Sequence, residues 1–166
     1  MSNELFKYID EGASRTVYEI NDDLVIKIAK NQNEIASWGV EQCRVELETY
    51  IKYGDKLPLC KILVDSSSEK RIIMERVKPY NLMDDITDEY EDTINELVCA
   101  IQYYPENLDQ FLVDNPNEKF IHFAKKFKES GLTQDEISEI LYDVGFENMG
   151  ENANGEIVIL DYGLQD

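Results

Sequence analysis

The hydrophobic pattern of this chain changes period once, near Pro79, and that change decides the fold class. Before it, the apolar residues come in short β-rich runs: Leu5–Ile9, Thr16–Ile20, Leu24–Ala29, Cys60–Val64 and Arg71–Val77 each read as a strand. Turn clusters at Asn21-Asp22-Asp23 and Asp65-Ser66-Ser67-Ser68 join neighbouring strands as antiparallel hairpins. One helix interrupts them. From about Glu34 to Tyr53, the residues Ile35, Trp38, Cys43, Leu47, Tyr50 and Ile51 recur at helical steps, and Gly54-Asp55 ends the run.

After Pro79 the period is helical. Tyr90, Ile94, Leu97, Val98 and Ile101 form a stripe that stops near Pro105. Asn115-Pro116 predicts the cap and first residue of a helix that buries Phe120, Phe123, Ala124 and Phe127 before Gly131. A capping box, Thr133 with Glu136, opens a third helix that turns Ile137, Ile140 and Leu141 inward and runs into Asp143. Phe146–Met149 and Ile157–Leu160 then flank an Asn152-Ala153-Asn154-Gly155 turn as a hairpin. The expected class is α+β, with a five-stranded antiparallel sheet and one helix followed by a reduced, mostly helical part.

Composition narrows what such a chain can do. At 166 residues a single domain is expected, and 43% hydrophobic residues supply a core. Lys and Arg number 16 against 35 Asp and Glu, a formal net charge of −19. Such a field repels phosphate backbones and anionic lipid, so no direct nucleic-acid or membrane binding is expected. It suits a basic protein partner instead. Cys43, Cys60 and Cys99 are odd in number and form no CxxC pair, which argues against a disulfide framework. The N-terminal MSNELFKYIDEG lacks the basic start and apolar run of a signal peptide, so the expected location is the cytoplasm. His122, the one histidine, lies between Ile121 and Phe123 and reads as a structural helix residue rather than a zinc ligand.

Four fragments carry chemistry, and their order matters more than any one of them. They are Glu11-Gly12-Ala13-Ser14-Arg15-Thr16-Val17-Tyr18, Val25-Ile26-Lys27, Asp143 with Asn148 five residues on, and Asp161-Tyr162-Gly163. A glutamate-bearing helix follows Lys27, and Ile73-Met74-Glu75-Arg76-Val77 lies at the change of period. As a set they resemble the signature of the protein-kinase-like superfamily, nearer to small atypical bacterial and phage kinase-like proteins than to eukaryotic ones. The resemblance spans nearly the whole chain as one kinase-like, bilobal domain, with residues 1–77 as an N-lobe ending in the hinge and 78–166 as a minimal C-lobe.

That resemblance implies ATP and magnesium as cofactors and assigns roles residue by residue. Gly12 lies where amides approach phosphates, Val17 covers the adenine, and Lys27 pairs with the α and β phosphates. A helix glutamate holds Lys27: Glu46 is favoured because it shares a face with Cys43 and Tyr50, while Glu41 and Glu48 remain alternatives. Met74 stands at the back of the adenine pocket, and backbone groups around Glu75 and Val77 meet the adenine edge. Asp143 orients or deprotonates the accepting hydroxyl, and Asn148 and Asp161 bind the metal ion.

The departures from the pattern count too. The phosphate loop has one glycine, with Arg15 near the place of a third, so an extra positive charge is expected there. Leu141-Tyr142 replaces the His-Arg before the catalytic aspartate, and the sequence stops at Asp166, before an activation segment or peptide-docking helices. The reading is a minimal ATP/Mg-dependent phosphotransferase with an unknown phosphoacceptor. The alternative is a pseudokinase-type binding or inhibitor protein, phage-encoded, acting on a basic or nucleic-acid-binding protein. A small-molecule kinase is a third reading, against which the short C-terminal part argues.

Overall fold

The computed structural model describes residues 6–33, 35 and 37–162, so Leu5, Glu34 and Gly163 of the segments above lie outside the described residues. It is a mixed α and β structure with two antiparallel sheets. Its backbone parts into two compact units. Of the described residues, one comprises those up to Tyr53 with Lys61–Arg76, the other Gly54–Cys60 and those from Val77.

The first unit is a sheet of four strands, β1 (Lys7–Glu11), β2 (Arg15–Glu19), β3 (Leu24–Ala29) and β4 (Arg71–Glu75), in the order β1-β2-β3-β4. Between β1 and β2 the chain turns tightly, with the Gly12 N–H donating to the Arg15 carbonyl at 2.9 Å. Between β2 and β3, Asn21 Oδ1 accepts the N–H groups of Asp23 and Leu24 at 2.8 and 2.9 Å, an Asx turn. Register sets the faces. Val17 is opposite Lys27, Arg15 opposite Ala29 and Lys27 opposite Ile72, so Arg15, Val17, Lys27, Ala29 and Ile72 share one face.

Helix α1 (Trp38–Tyr53) packs against β3 and β4. Its buried stripe is Gly39, Cys43 and Glu46, spaced by four and three residues. This corrects the expected apolar face: Ile35 is 98% exposed, Trp38 75% and Ile51 63%. The reason is steric. A Cβ on Gly39 would lie 2.3 Å from the Ser14 carbonyl oxygen and 3.0 Å from Ala29, so at its first turn the helix approaches too closely for a side chain to lie beneath it.

The expected fifth strand, Cys60–Val64, does not form. The Cys60 N–H donates to the Ile159 carbonyl and the Ile159 N–H to that of Pro58, tying Pro58–Cys60 into the second unit. In the first unit Ile62 forms a single antiparallel bridge to Met74, flanked by the Leu63 N–H to Ile73 carbonyl and Glu75 N–H to Lys61 carbonyl bonds at 2.8 Å, and at Val64–Ser66 the chain coils into a 3-10 turn before a strand can extend. The sheet therefore has four strands rather than five.

The second unit is mainly helical. Helix α2 (Asp88–Tyr103) is capped by Thr87, whose side chain accepts the Tyr90 N–H, and it buries Ile94, Leu97, Val98 and Ile101. Pro105–Asn107 forms a 3-10 turn leading into α3 (Leu108–Asp114), a helix the sequence pattern did not announce. Helix α4 (Glu118–Glu129) buries Phe120, Phe123, Ala124 and Phe127. Its cap is Asn117, which accepts the Lys119 N–H, two residues later than the expected Asn115. Helix α5 (Gln134–Ile140) starts with the full Thr133–Glu136 capping box.

A short three-stranded sheet, β5 (Lys78–Pro79), β6 (Met149–Glu151) and β7 (Ile157–Ile159), completes this unit. Phe146–Asn148, expected as strand, is a 3-10 turn that leads into β6. The β6–β7 turn closes with Gly155 at φ 74°, a conformation open to glycine at little steric cost. Among the described residues no helix is long and apolar enough to cross a membrane.

Candidate functional site

Two clusters hold the sequence-predicted residues, one in each unit. In the first, Lys27 Nζ lies 3.1 Å from Glu46 Oε1, and Arg15 Nη1 lies 2.6 Å from Glu46 Oε2. The side chains are nearly dry: Glu46 is 2% exposed, Lys27 and Arg15 9% each. Burying charge carries a desolvation cost that pairing offsets only with good geometry. Here each carboxylate oxygen has its own cation. Both cations come from one sheet face, because Arg15 stands two residues before Val17, the register partner of Lys27. Cys43 is fully buried beside them, and burial pushes its thiol pKa up against the opposing pull of Arg15.

The other two glutamates of α1 are engaged elsewhere. Arg44 Nε donates to Glu41 Oε2 at 3.0 Å and Nη1 to Glu48 Oε1 at 2.9 Å on the exposed side of the helix. Arg15 departs from expectation. Its guanidinium is turned inward onto Glu46 instead of adding charge to the Gly12 loop, because its position on β2 faces α1. The loop itself is fastened to α1 and to the end of β3: the Ser14 hydroxyl donates to Gln42 Oε1 on the helix, and the Ser14 carbonyl accepts the N–H of Lys30, the residue after β3, at 2.8 Å.

The remaining first-unit residues fall as follows. Val17 is half-buried on the Lys27 face, and Met74 is buried on the same face opposite Val25. The Glu75 N–H donates to the Lys61 carbonyl and the Arg76 N–H to that of Asp23, both at 2.8 Å. Neither amide is left to donate to a base. Val77 is buried in the second unit.

In the second unit, Asp143, Asn148 and Asp161 gather at the open end of the β6–β7 hairpin. Asn148 Nδ2 donates to the Asp143 carbonyl at 3.1 Å, and the Leu160 N–H donates to the Asn148 carbonyl at 2.8 Å, which sets Asn148 beside the residue preceding Asp161. Asp143 has φ 57°, the left-handed region, which Asp tolerates better than most residues. Its loop is pinned at two points: Asn95 Oδ1 on α2 accepts the Phe146 N–H at 3.0 Å, and the Phe146 ring stacks on Tyr80 at 5.3 Å. Tyr162 anchors the other side. It is buried, and its hydroxyl donates to the Cys60 carbonyl at 2.8 Å, the acceptor that a tyrosine needs where a phenylalanine would need none.

Asn148 and Asp161 offer hard oxygen atoms suited to magnesium. With its NH2 committed to the Asp143 carbonyl, the Asn148 amide turns Oδ1 away from that bond. Among the described residues no group of three or more His, Cys, Asp or Glu could hold a metal ion. One carboxylate with one amide oxygen fits an ion that brings phosphate and water ligands with it.

Sequence reasoning missed the inward turn of Arg15, the close approach at Gly39 and the brace from Asn95. Only the first had a visible signal, its even spacing from Val17 on a strand. No protein family and no curated protein matches the chain. Among solved structures, it is similar to the ADP-bound aminoglycoside phosphotransferase APH(2'')-Ib, at 18% identity over 97% of this chain and 67% of that one, TM-score 0.46. It is also similar to APH(2'')-IIa in complex with gentamicin, at 19% identity over 99% and 67% of the two chains, TM-score 0.44. The streptomycin–ATP ternary complex of APH(2'')-IIa is similar at 18% identity over 97% and 67%, TM-score 0.43.

Proposed function

We propose that this chain is a minimal ATP- and magnesium-dependent phosphotransferase of the protein-kinase-like type. The observation that carries the reading is the buried Lys27–Glu46 ion pair, 3.1 Å long, on a strand whose neighbours Val25, Ile26 and Ala29 are apolar and buried. A lysine in such a strand is costly to desolvate, and a helix carboxylate that holds it in one position suits a cation aimed at phosphate oxygens. Lys27 neutralises the α and β phosphates, with Glu46 fixing its direction, and the Gly12 turn lets backbone approach the same anion. Val17 and Met74 line the base, and Val77 is assigned to its edge.

In the second unit, Asn148 and Asp161 hold magnesium, which supplies charge neutralisation at the phosphates when bound. Asp143 orients the accepting hydroxyl and takes its proton. Thermal unfolding with and without ATP and magnesium tests the reading. A ligand that binds only the folded state adds about 2.7 kcal/mol at a hundredfold excess over its Kd. The expected result is a magnesium-dependent rise in Tm that Asp161→Asn abolishes. No rise at millimolar ATP overturns the reading and leaves a binding module.

A further inference from the structure

We infer that Arg15 is a positioning residue for nucleotide phosphates, acting through Glu46 on Lys27. This rests on the phosphotransferase reading above and goes beyond it by adding a residue with no assigned part in phosphate binding. Glu46 has two carboxylate oxygens, and the structure gives each a different strand: Oε2 to Arg15 of β2 at 2.6 Å, Oε1 to Lys27 of β3 at 3.1 Å. A carboxylate held at one oxygen swings about its side-chain torsions. Held at both, it has one position, and Lys27 inherits that position.

Arg15 also begins β2, directly after the Gly12–Ser14 turn, and its carbonyl accepts the Gly12 N–H at 2.9 Å. Its backbone closes the turn while its side chain locks the helix glutamate. Ser14 adds a second tie from the same turn to α1 through Gln42. Displacement of the turn is thereby transmitted to Glu46, and from Glu46 to the Lys27 ammonium. Arginine suits the task better than lysine because its planar fork keeps a fixed direction when buried.

The test compares titrations of ATP with magnesium and of adenosine alone, well below the unfolding temperature, for the wild type, Arg15→Met, Arg15→Lys, Glu46→Gln and the double variant Arg15→Met/Glu46→Gln. Arg15→Met is expected to weaken ATP binding about tenfold, a coupling within the range for residues of one hydrogen-bonded network. Adenosine binding should stay within about twofold, since it has no phosphate for Lys27 to meet. Arg15→Lys should restore part of the loss, and the double variant should be no weaker than Glu46→Gln alone. A merely structural arginine weakens both ligands alike or leaves both unchanged, and either result overturns the inference while the phosphotransferase reading stands. Additive losses in the double variant overturn it too. If the wild type itself binds neither ligand, that reading fails and takes the inference with it. Should Arg15→Met fail to fold, Arg15→Lys supplies the same comparison with charge kept: loss of ATP affinity at constant adenosine affinity supports the inference, and equal affinities overturn it.

Discussion

The two clusters solve the same problem, holding polar side chains still, by opposite means. In the first unit Arg15, Glu46 and Lys27 are buried and hold one another, so their geometry depends on charge pairing in a dry place. In the second unit Asp143 is exposed and Asn148 and Asp161 are half-buried, and their positions come from local backbone and uncharged hydrogen bonds: a 3-10 turn, a hairpin end, the Asn148 amide on the Asp143 carbonyl and the buried Tyr162. Removing a side chain from the first cluster should therefore damage the fold. Removing one from the second should damage chemistry and leave the fold intact.

Glu46→Ala is the strongest test of this contrast. It takes the carboxylate from between two buried cations, and removing one partner of a buried ion pair costs about 3–5 kcal/mol. The expected result is a loss of at least about 3 kcal/mol in urea unfolding. A loss below about 1 kcal/mol would show that the cluster contributes nothing to holding the first unit together.

Gly39→Ala tests the approach that delivers Glu46. Its new Cβ would sit 2.3 Å from a backbone oxygen, so the helix must shift, at about 1–3 kcal/mol. Along with that loss in urea, nuclear magnetic resonance should show shifts at Lys27 and Arg15 as well as around Ser14. Shifts confined to Ser14 would mean that the helix and the ion cluster move independently.

For the second unit the expected signs differ. Asp143→Gly should leave stability within about 0.5 kcal/mol of wild type, tending upward, because glycine adopts φ 57° without a Cβ penalty. Phosphate transfer, measured with radiolabelled ATP, should be lost in the same variant. A clear destabilisation would break the contrast by making Asp143 a structural residue.

How much of this was open to sequence reasoning follows from the same contrast. The order of strands and the Thr133–Glu136 capping box were legible because turn chemistry and caps act within a few residues. The face of α1 was misread at its start. Its stripe consists of a glycine, a cysteine and a glutamate, whereas of the large apolar residues that a pattern search weights, Ile35 precedes the helix and Trp38 and Ile51 are exposed. Glu46 could be placed with Cys43 only by counting three residues along a helix. Helix α3 went unseen because Pro105 reads as a stop, although proline also opens helical turns, as it does here at Pro105–Asn107. The missing fifth strand depended on Pro58 and Cys60 bonding to Ile159, about a hundred residues away, and no local rule reports a competition of that range.

The smallest expected effect belongs to acid. Glu156, at the β6–β7 turn, has its pKa lowered, first by the Asn152 amide that donates to its Oε1 at 3.3 Å, then by the charge of nearby His122, whose Nε2 lies 2.6 Å from Oε2. A carboxylate with a folded-state pKa below its unfolded value of 4.5 adds stability that is fully present above 4.5 and is lost as pH falls through the folded value. Because the Glu156 side chain is 36% exposed, solvent screens the gain to a few tenths of a kcal/mol. In urea titrations from pH 7 to pH 3, wild type should exceed Glu156→Gln by that small margin near neutrality, and the two should converge in acid. A margin that widens in acid reverses the sign and would mean that the ionised carboxylate is not the form this turn favours.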